Sequence, residues 1–305
     1  MKHIFIINPA AGKYDRTEEY TQKIESVCGA RGLTYEIHRS QQRGDCTRLA
    51  REAAQSGEQV RLYACGGDGT LNEVVNGAAG FSNAAVTHFP GGSGNDMIKI
   101  FSETEPFFDL ERLLDCEQTQ FDLIECNGKY AVNILSMGLD ARIGTEMAQY
   151  KRLPLVSGQG AYLISTVVNL IKGISRRFVI TLDDGTRLDD RFTLICACNG
   201  RWYGGGFNPV PDAEPDDGLL EVLVVKKVSL LTASRVIGQY KAGQYRQLPD
   251  LISHYRCKSL TIACEKPSVV NVDGETIFTD AAKITALPRA LRFFYPRGLT
   301  YRHQN

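Results

Sequence analysis

The sequence predicts an α/β domain on a mostly parallel, doubly wound sheet, followed by an all-β domain of sandwich type. Three observations predict it. Residues 1–125 alternate apolar runs with helical patterns, three of those runs end in glycine-bearing turns, and after about residue 125 short strands separated by turn signals take over. Alternating strands and helices close most simply as a parallel sheet with right-handed crossovers. At 305 residues the chain has room for two domains, expected at 1–125 and 126–305, with the last residues packing back on the first. A chain of this length buries roughly three quarters of its unfolded surface and needs no disulfide or metal staple to fold.

Ile4-Phe5-Ile6-Ile7 is a continuous apolar run, as in a strand covered on both faces. Asp15 with Glu18 has capping-box spacing and predicts a helix to about Ala30, ended by Gly32. Leu33 to Ile37 alternates like a strand. Leu49, Ala50 and Ala53 keep helical spacing over 45–56, and Val60 to Cys65 is the next strand. Thr70-Leu71-Asn72-Glu73 reads as a second capping box before Val74, Val75 and Ala78, and Ala85 to Phe89 as a short strand. Beyond the switch, strands are predicted at Tyr130–Leu135, Phe178–Leu182, Phe192–Ala197, Leu219–Val225, Leu260–Cys264, Val269–Val272 and Leu291–Tyr295. Asp184-Gly185 is a hairpin signal. Helices are predicted at 160–172 and 229–242.

Hydrophobic residues make up 43% and charged residues 23%, which excludes disorder, and 35 Lys+Arg balance 35 Asp+Glu. Zero net charge gives no reason to expect nucleic acid, whose phosphates need an excess of cations. The nine cysteines form no Cys-x-x-Cys pair, and Cys196 and Cys198 read as small buried hydrophobes. The histidines at 3, 38, 88, 254 and 303 have no zinc-ligand spacing. With no signal peptide at the first residues, a reducing, cytoplasmic setting is expected. The apolar stretch Gly160–Ile174 contains Asn169 and Lys172 and is too short to span a bilayer. Tyr150-Lys151-Arg152-Leu153-Pro154-Leu155-Val156 mixes cations with apolar side chains, which suits peripheral contact at a membrane surface as well as a solvated loop.

The three turns are Asn8-Pro9-Ala10-Ala11-Gly12-Lys13, Gly66-Gly67-Asp68-Gly69-Thr70 and Pro90-Gly91-Gly92-Ser93-Gly94-Asn95-Asp96. Loops at the carboxyl ends of parallel strands form the ligand crevice of such a sheet. Glycines there let backbone N–H groups approach a phosphate, and the helix dipole adds positive potential. None matches the Walker A or Gly-x-Gly-x-x-Gly spacing. Asp68 decides the reading. A carboxylate about 4 Å from a phosphate at an effective dielectric near 20 costs about 4 kcal/mol, unless a divalent cation sits between them. An N-cap turn would explain one such acid. Three glycine turns in register favour a phosphate site.

These residues resemble the diacylglycerol kinase catalytic-domain family, in its bacterial lipid-kinase branch. The resemblance rests on Gly66-Gly67-Asp68-Gly69-Thr70 with Leu71-Asn72-Glu73-Val74, on Asn8-Pro9 with Gly12-Lys13, and on Pro90 to Asp96. Phe121-Asp122-Leu123, Asp216-Asp217-Gly218-Leu219-Leu220-Glu221-Val222 and Val272-Asp273-Gly274-Glu275 extend it over nearly the whole chain. Ser93 stands where the family more often has threonine, and it keeps the hydroxyl. The resemblance implies a nucleotide-binding α/β domain, a β-sandwich domain and an active site in the cleft between them. It implies ATP contacts from Asn8, Pro9, Ala10, Ala11, Gly12, Gly66, Gly67, Asp68, Gly69, Thr70, Leu71, Asn72 and Ser93, with Ser40 a further candidate. Asp68, Asp96 and Asp122 would organise catalytic Mg²⁺ through water. Asp217, with backbone oxygens of Glu214 and Leu219, would hold a separate structural Mg²⁺. Glu275 would accept the proton, with Asp273 nearby.

The implied activity is ATP-dependent phosphorylation of a lipid hydroxyl, that of diacylglycerol first, with phosphatidylglycerol, a sphingoid base, ceramide or a polyprenol as alternatives. An NAD-kinase-like enzyme and a nucleotide-binding regulator without catalysis are the rivals. Without the resemblance, Asp273-Gly274 and Asp216-Asp217-Gly218 read only as turns. Trp202-Tyr203 with Gly204-Gly205-Gly206-Phe207 is a candidate rim of the acceptor cleft or a packed turn. An exposed sandwich edge could pair across a homodimer axis.

Overall fold

The apolar runs of the first half become strands, three of which carry the turns at their carboxyl ends, in the computed structural model, which describes residues 1–139 and 175–301. The helix predicted at 160–172 and the stretch 150–156 lie outside the described residues. Strands β1 (Lys2–Ile7), β2 (Tyr35–Arg39), β3 (Val60–Gly66) and β4 (Ala84–Pro90) run parallel in the order β4-β3-β1-β2. Helices α1 (Thr17–Ala30), α2 (Asp45–Gln55) and α3 (Asp68–Ala78) cross between them. The register sets Ile7 beside Cys65 and Gly66 beside Pro90, so the turns after β1, β3 and β4 emerge side by side. Phe5, Ile6, Ile7, Leu62 and Tyr63 are fully buried, as a doubly covered sheet requires.

Both expected capping boxes are replaced. Asp15 Oδ1 accepts from the Thr17 N–H at 2.8 Å, the helix starts at Thr17, and Glu18 pairs with Gln22 instead. Helix α3 starts at Asp68, two residues before the expected cap, and Glu73 reaches to the neighbouring helix. Its carboxylate accepts from the N–H groups of Gly44 at 3.0 Å and Cys46 at 3.1 Å, capping α2.

After the short helix α4 (Leu110–Leu114), β5 (Cys116–Cys126) and β6 (Lys129–Ala131) form a hairpin. The single strand expected over Tyr130–Leu135 is split, β7 (Ile134–Gly138) starting after a break at Val132-Asn133. The second half continues with β8 (Arg176–Leu182), β9 (Arg187–Cys198), β10 (Leu220–Lys226), α5 (Leu230–Lys241), β11 (Ile252–Cys257), β12 (Ser259–Val272) and β13 (Glu275–Pro296). The runs Leu260–Cys264 and Val269–Val272 are one strand with an irregularity between Ala263 and Ser268. The 22-residue β13 pairs with β12 at its start, with β5 along its length and with β4 at Phe293–Val86. It therefore hydrogen-bonds the antiparallel half to the parallel half. Three apolar clusters fill the layers: one under the parallel sheet, one between the antiparallel layers, and one beneath α5. None of the nine cysteines forms a disulfide, and Cys196 and Cys198 are buried.

Candidate active site

The three glycine turns meet backbone to backbone. The Gly91 N–H donates to Gly66 O at 2.7 Å. A methyl added at Gly12 would stand 2.6 Å from Gly91 O, and one at Gly92 would stand 2.5 Å from Gly67 Cα. No side chain larger than hydrogen fits these approaches, and Gly12 also has φ +81°. Asn8 closes its own loop, its Oδ1 accepting from the Ala10 N–H at 3.0 Å, and its Nδ2 donates to Thr70 Oγ1 at 3.0 Å. The result is a cradle of peptide groups at the N-terminus of α3, suited to an anion.

Asp68 anchors that cradle. Its Oδ2 accepts from the Asn95 N–H at 2.9 Å and its Oδ1 from the Asp96 N–H, which pins the third turn over the second. Gly94 lies against Asp68, and an added methyl there would overlap Asp68 Oδ2 and stand 3.6 Å from Asp96 Oδ2. Buried Asp96 accepts from Lys99 Nζ at 2.6 Å and from the Gly205 N–H at 2.9 Å. The last bond ties the cradle to the Trp202–Phe207 turn, which lines the same cleft.

Asp273 and Glu275 flank the β12–β13 hairpin, and they differ in role. Asp273 and Gly274 have φ +47° and +92°, the two-residue turn with both central residues left-handed. The Asp273 carboxylate accepts from three peptide N–H groups: Val132 at 2.6 Å, Asn133 at 2.9 Å and Ile134 at 2.8 Å. Those bonds cause the break between β6 and β7. Burial pushes the Asp273 pKa up to about 6 against the pull of those donors, and the charge of Asp68 adds to the rise. Glu275 instead faces the cleft, where Arg43 Nη2 lies 2.6 Å from its Oε2. Arg43 sits between β2 and α2, so this ion pair bridges the two halves of the molecule. Sequence reasoning missed Arg43, because nothing local marks it and its partner is 232 residues away.

Asp68, Ser93, Asp96, Asp273 and Glu275 line one cavity of about 600 Å³. Its other wall is apolar: Val225, Val228, Ala233, Val236 and Ile237, closed by Tyr240 and Ile252. A polar mouth thus opens into an apolar interior behind α5. Sequence periodicity found α5 and gave no sign that it walls a cavity.

Other predicted residues lie elsewhere. Asn72 is buried, and its Nδ2 donates to Tyr130 O at 2.9 Å, tying α3 to β6. Ser40 is buried at the end of β2, beside the Cys46 thiol. Asp122 is not among the residues lining the cavity that Asp68 and Asp96 line. It is fully buried in β5, with Oδ1 accepting from the Arg289 N–H at 2.7 Å and Oδ2 from the Gly218 N–H at 2.6 Å. Burial raises its pKa, and Asp217 and Asp216 are the acids that add to the rise. Asp217 has its Oδ1 on the Leu219 N–H at 2.9 Å and its Oδ2 on Arg256 Nη2 at 2.6 Å. Arg256 also reaches Glu221 through Nε at 2.8 Å. Glu214 lies near enough to buried Arg201 to attract its charge. Asp217, the side chain expected at the structural Mg²⁺ site, thus has a guanidinium on one carboxylate oxygen, as Asp96 has an ammonium.

Residues 2–126 match the family described as the diacylglycerol kinase catalytic domain, and residues 133–295, more than half the chain, match the YegS C-terminal NAD kinase beta sandwich-like domain. The chain belongs to this diacylglycerol kinase family. The expected pairing of an α/β kinase domain with a β-sandwich domain therefore holds, and the protein is a kinase. A protein of Staphylococcus haemolyticus named "Putative lipid kinase" is 27% identical over 92% of this chain and 90% of its own length. A crystal structure described as a "putative diacylglycerol kinase" from Bacillus anthracis is 25% identical, covers 98% of both chains and superposes with a TM-score of 0.75. A second diacylglycerol kinase structure from Bacillus anthracis, 23% identical over 97% of both chains with a TM-score of 0.69, shares the fold. Among the described residues no helix is long and apolar enough to cross a membrane.

Proposed function

We propose that this kinase transfers the γ-phosphoryl group of ATP to the free hydroxyl of diacylglycerol, making phosphatidic acid and ADP. One observation carries the proposal: the acids at the cradle and the apolar wall behind α5 line a single cavity, so a reacting hydroxyl and a hydrocarbon tail can be held together. The cradle of Gly12, Gly66, Gly67, Gly69 and Ser93 binds the triphosphate. The acceptor oxygen attacks the γ-phosphorus, the bond to the bridging oxygen breaks, and ADP leaves. Glu275 takes the hydroxyl proton.

Among the described residues no group of three or more acids, histidines or cysteines is arranged to enclose a metal. Mg²⁺ at kinase sites is commonly held by one or two carboxylates together with substrate phosphates and water. Asp68 and Asp96, on either side of Gly94, fit that mode. Bound there, Mg²⁺ would neutralise charge on the phosphates. The division at 125/126 assigns the cradle to the first domain and Glu275 to the second.

The test is transfer of labelled γ-phosphate to a panel of micellar lipid alcohols, with Mg²⁺ and with EDTA, for the parent and Asp68→Ala. Label should appear in diacylglycerol, vanish in EDTA and vanish in the variant. Transfer to NAD alone would support the NAD-kinase reading instead, and ATP binding without transfer to any acceptor would support a regulator.

A further inference from the structure

The two sides of α5 are unlike, and apolar residues stand on both, mixed on the exposed one with Ser234, Arg235, Gly238 and Lys241. Ala233, Val236 and Tyr240 face inward and line the cavity. The outward face carries Leu230, Leu231 and Ile237, which are 52%, 60% and 50% exposed. These are three of the seven large exposed hydrophobics among the described residues, gathered on one twelve-residue helix. Leu230 and Ile237 are seven residues apart, two turns along one stripe, and Leu231 begins the adjacent stripe with Arg235. Ile237 is exposed outside and also lines the cavity, so the patch is continuous with the cavity wall.

Along the chain, the charged residues of this segment have one sign. From Val222 to Pro249 the sequence holds five basic residues, Lys226, Lys227, Arg235, Lys241 and Arg246, and no acidic one. Of these, Arg246 pairs with Asp212, whereas Lys226, Lys227, Arg235 and Lys241 are exposed at the ends and side of the helix. Net charge over the whole chain is zero, so this cationic stretch is a local asymmetry. An apolar stripe edged by cations on a surface helix is the pattern that seats in the headgroup region of an anionic bilayer.

We propose that the outer face of α5 docks on an anionic lipid bilayer, with Leu230 and Leu231 entering the headgroup boundary and Ile237 set where the cavity meets the lipid. This rests on the lipid-kinase reading for its purpose, since a lipid passing beside Ile237 would enter the cavity without crossing water. Its chemistry stands on the patch alone.

The experiment is co-sedimentation of the full chain, without ATP, with phosphatidylcholine vesicles containing 0 or about 30% phosphatidylglycerol. The parent and Leu230→Glu/Leu231→Glu are compared, neither residue being part of the cavity lining. Expected are binding by the parent that requires phosphatidylglycerol and weakens with salt, and at least a tenfold loss in the variant with its melting temperature held. Hydrogen exchange on the parent supplies a check independent of any substitution: amides of 230–241 should gain protection on anionic vesicles. Variant binding within threefold of the parent, equal binding to neutral vesicles, or unchanged exchange in 230–241 overturns the proposal. So does a dimer of the parent, broken by the same substitutions, without vesicle binding, which would make the patch a protein contact. Transfer to short-chain diacylglycerol dispersed in solution reports separately on the catalytic reading. If transfer is absent while vesicle binding follows the expected pattern, the kinase substrate is wrong and the docking surface stands.

Discussion

Replacing Glu275 with glutamine separates chemistry from stability more cleanly than any other change in the cleft. The substitution keeps shape and one acceptor oxygen, and removes the basic carboxylate. A positioned general base contributes about 10²–10⁴ in rate, or roughly 2.7–5.4 kcal/mol of barrier at 1.36 kcal/mol per decade. The only ion pair lost among the described residues is that with Arg43, at 2.6 Å. The Arg43 side chain is 71% exposed, so solvent screening limits the pair to about 0.2–1 kcal/mol. That corresponds to a melting shift of less than about 4 °C. The assay is the initial rate of labelled phosphate transfer to micellar diacylglycerol, run beside a thermal unfolding scan of the same sample. A rate loss below threefold would remove Glu275 as the proton acceptor. A fall of more than about 10 °C would show instead that the ion pair holds the two halves together, and the reasoning from exposure would fail.

Gly94→Ala should cost at least tenfold in kcat/KM for ATP, because the added methyl forces Asp68 Oδ2 off the Asn95 N–H. Gly29→Ala, a helix position with nothing within 4 Å, should keep full activity and gain about 0.5–1 kcal/mol in urea unfolding; equal activity for both variants would sink the crowding argument. The Asp273 pKa, raised by burial to about 6, means the native state keeps a proton that the unfolded chain loses near pH 4. The stabilisation is complete below about pH 4 and lost as pH rises through about 6. The stability advantage of the parent over Asp273→Asn should therefore shrink between pH 4 and 7; an advantage that grows would show that the three N–H donors outweigh burial. Arg256→Gln should lower the melting temperature and enlarge the rise in it with millimolar Mg²⁺, since it frees Asp217 while Glu221 keeps His254; a variant whose response to Mg²⁺ matches the parent's would remove Asp217 as a metal ligand.

What was legible in the sequence was local. A strand, a glycine turn and a helix follow within some fifteen residues, so the cradle from Asn8 to Gly12 and from Gly66 to Thr70 could be read directly. What could not be read depends on distant partners. Glu73 has the spacing of a capping box, yet the N–H groups it caps belong to α2, 29 and 27 residues back. Asp122 lies between Phe121 and Leu123 in a strand pattern that does not show what its carboxylate meets. The two N–H groups that hold it are 96 and 167 residues away. Arg256 offers no signal until β10 and β11 pair and set it opposite Glu221. The helix at 229–242 was legible from periodicity, but periodicity marks one buried face and cannot show that the face borders a cavity.

The anchoring bonds of Asp68 and Asp273 look alike and have opposite consequences for chemistry. A carboxylate offers about four lone-pair sites. Asp68 spends two on peptide N–H groups, which fixes its orientation and lowers the cost of an acid beside phosphates while leaving acceptor capacity facing the cleft. Turn anchor and metal-facing acid are therefore compatible roles for it. Asp273 spends three on peptide N–H groups and so, although it borders the cavity, has little capacity left to receive a substrate proton. The turn it forms with Gly274 places Glu275 as the first residue of β13, on the cleft side, with a single exposed cation as its partner. Of the two acids in Asp273-Gly274-Glu275, the geometry favours Glu275 as the base and gives Asp273 the task of locking the hairpin that presents it.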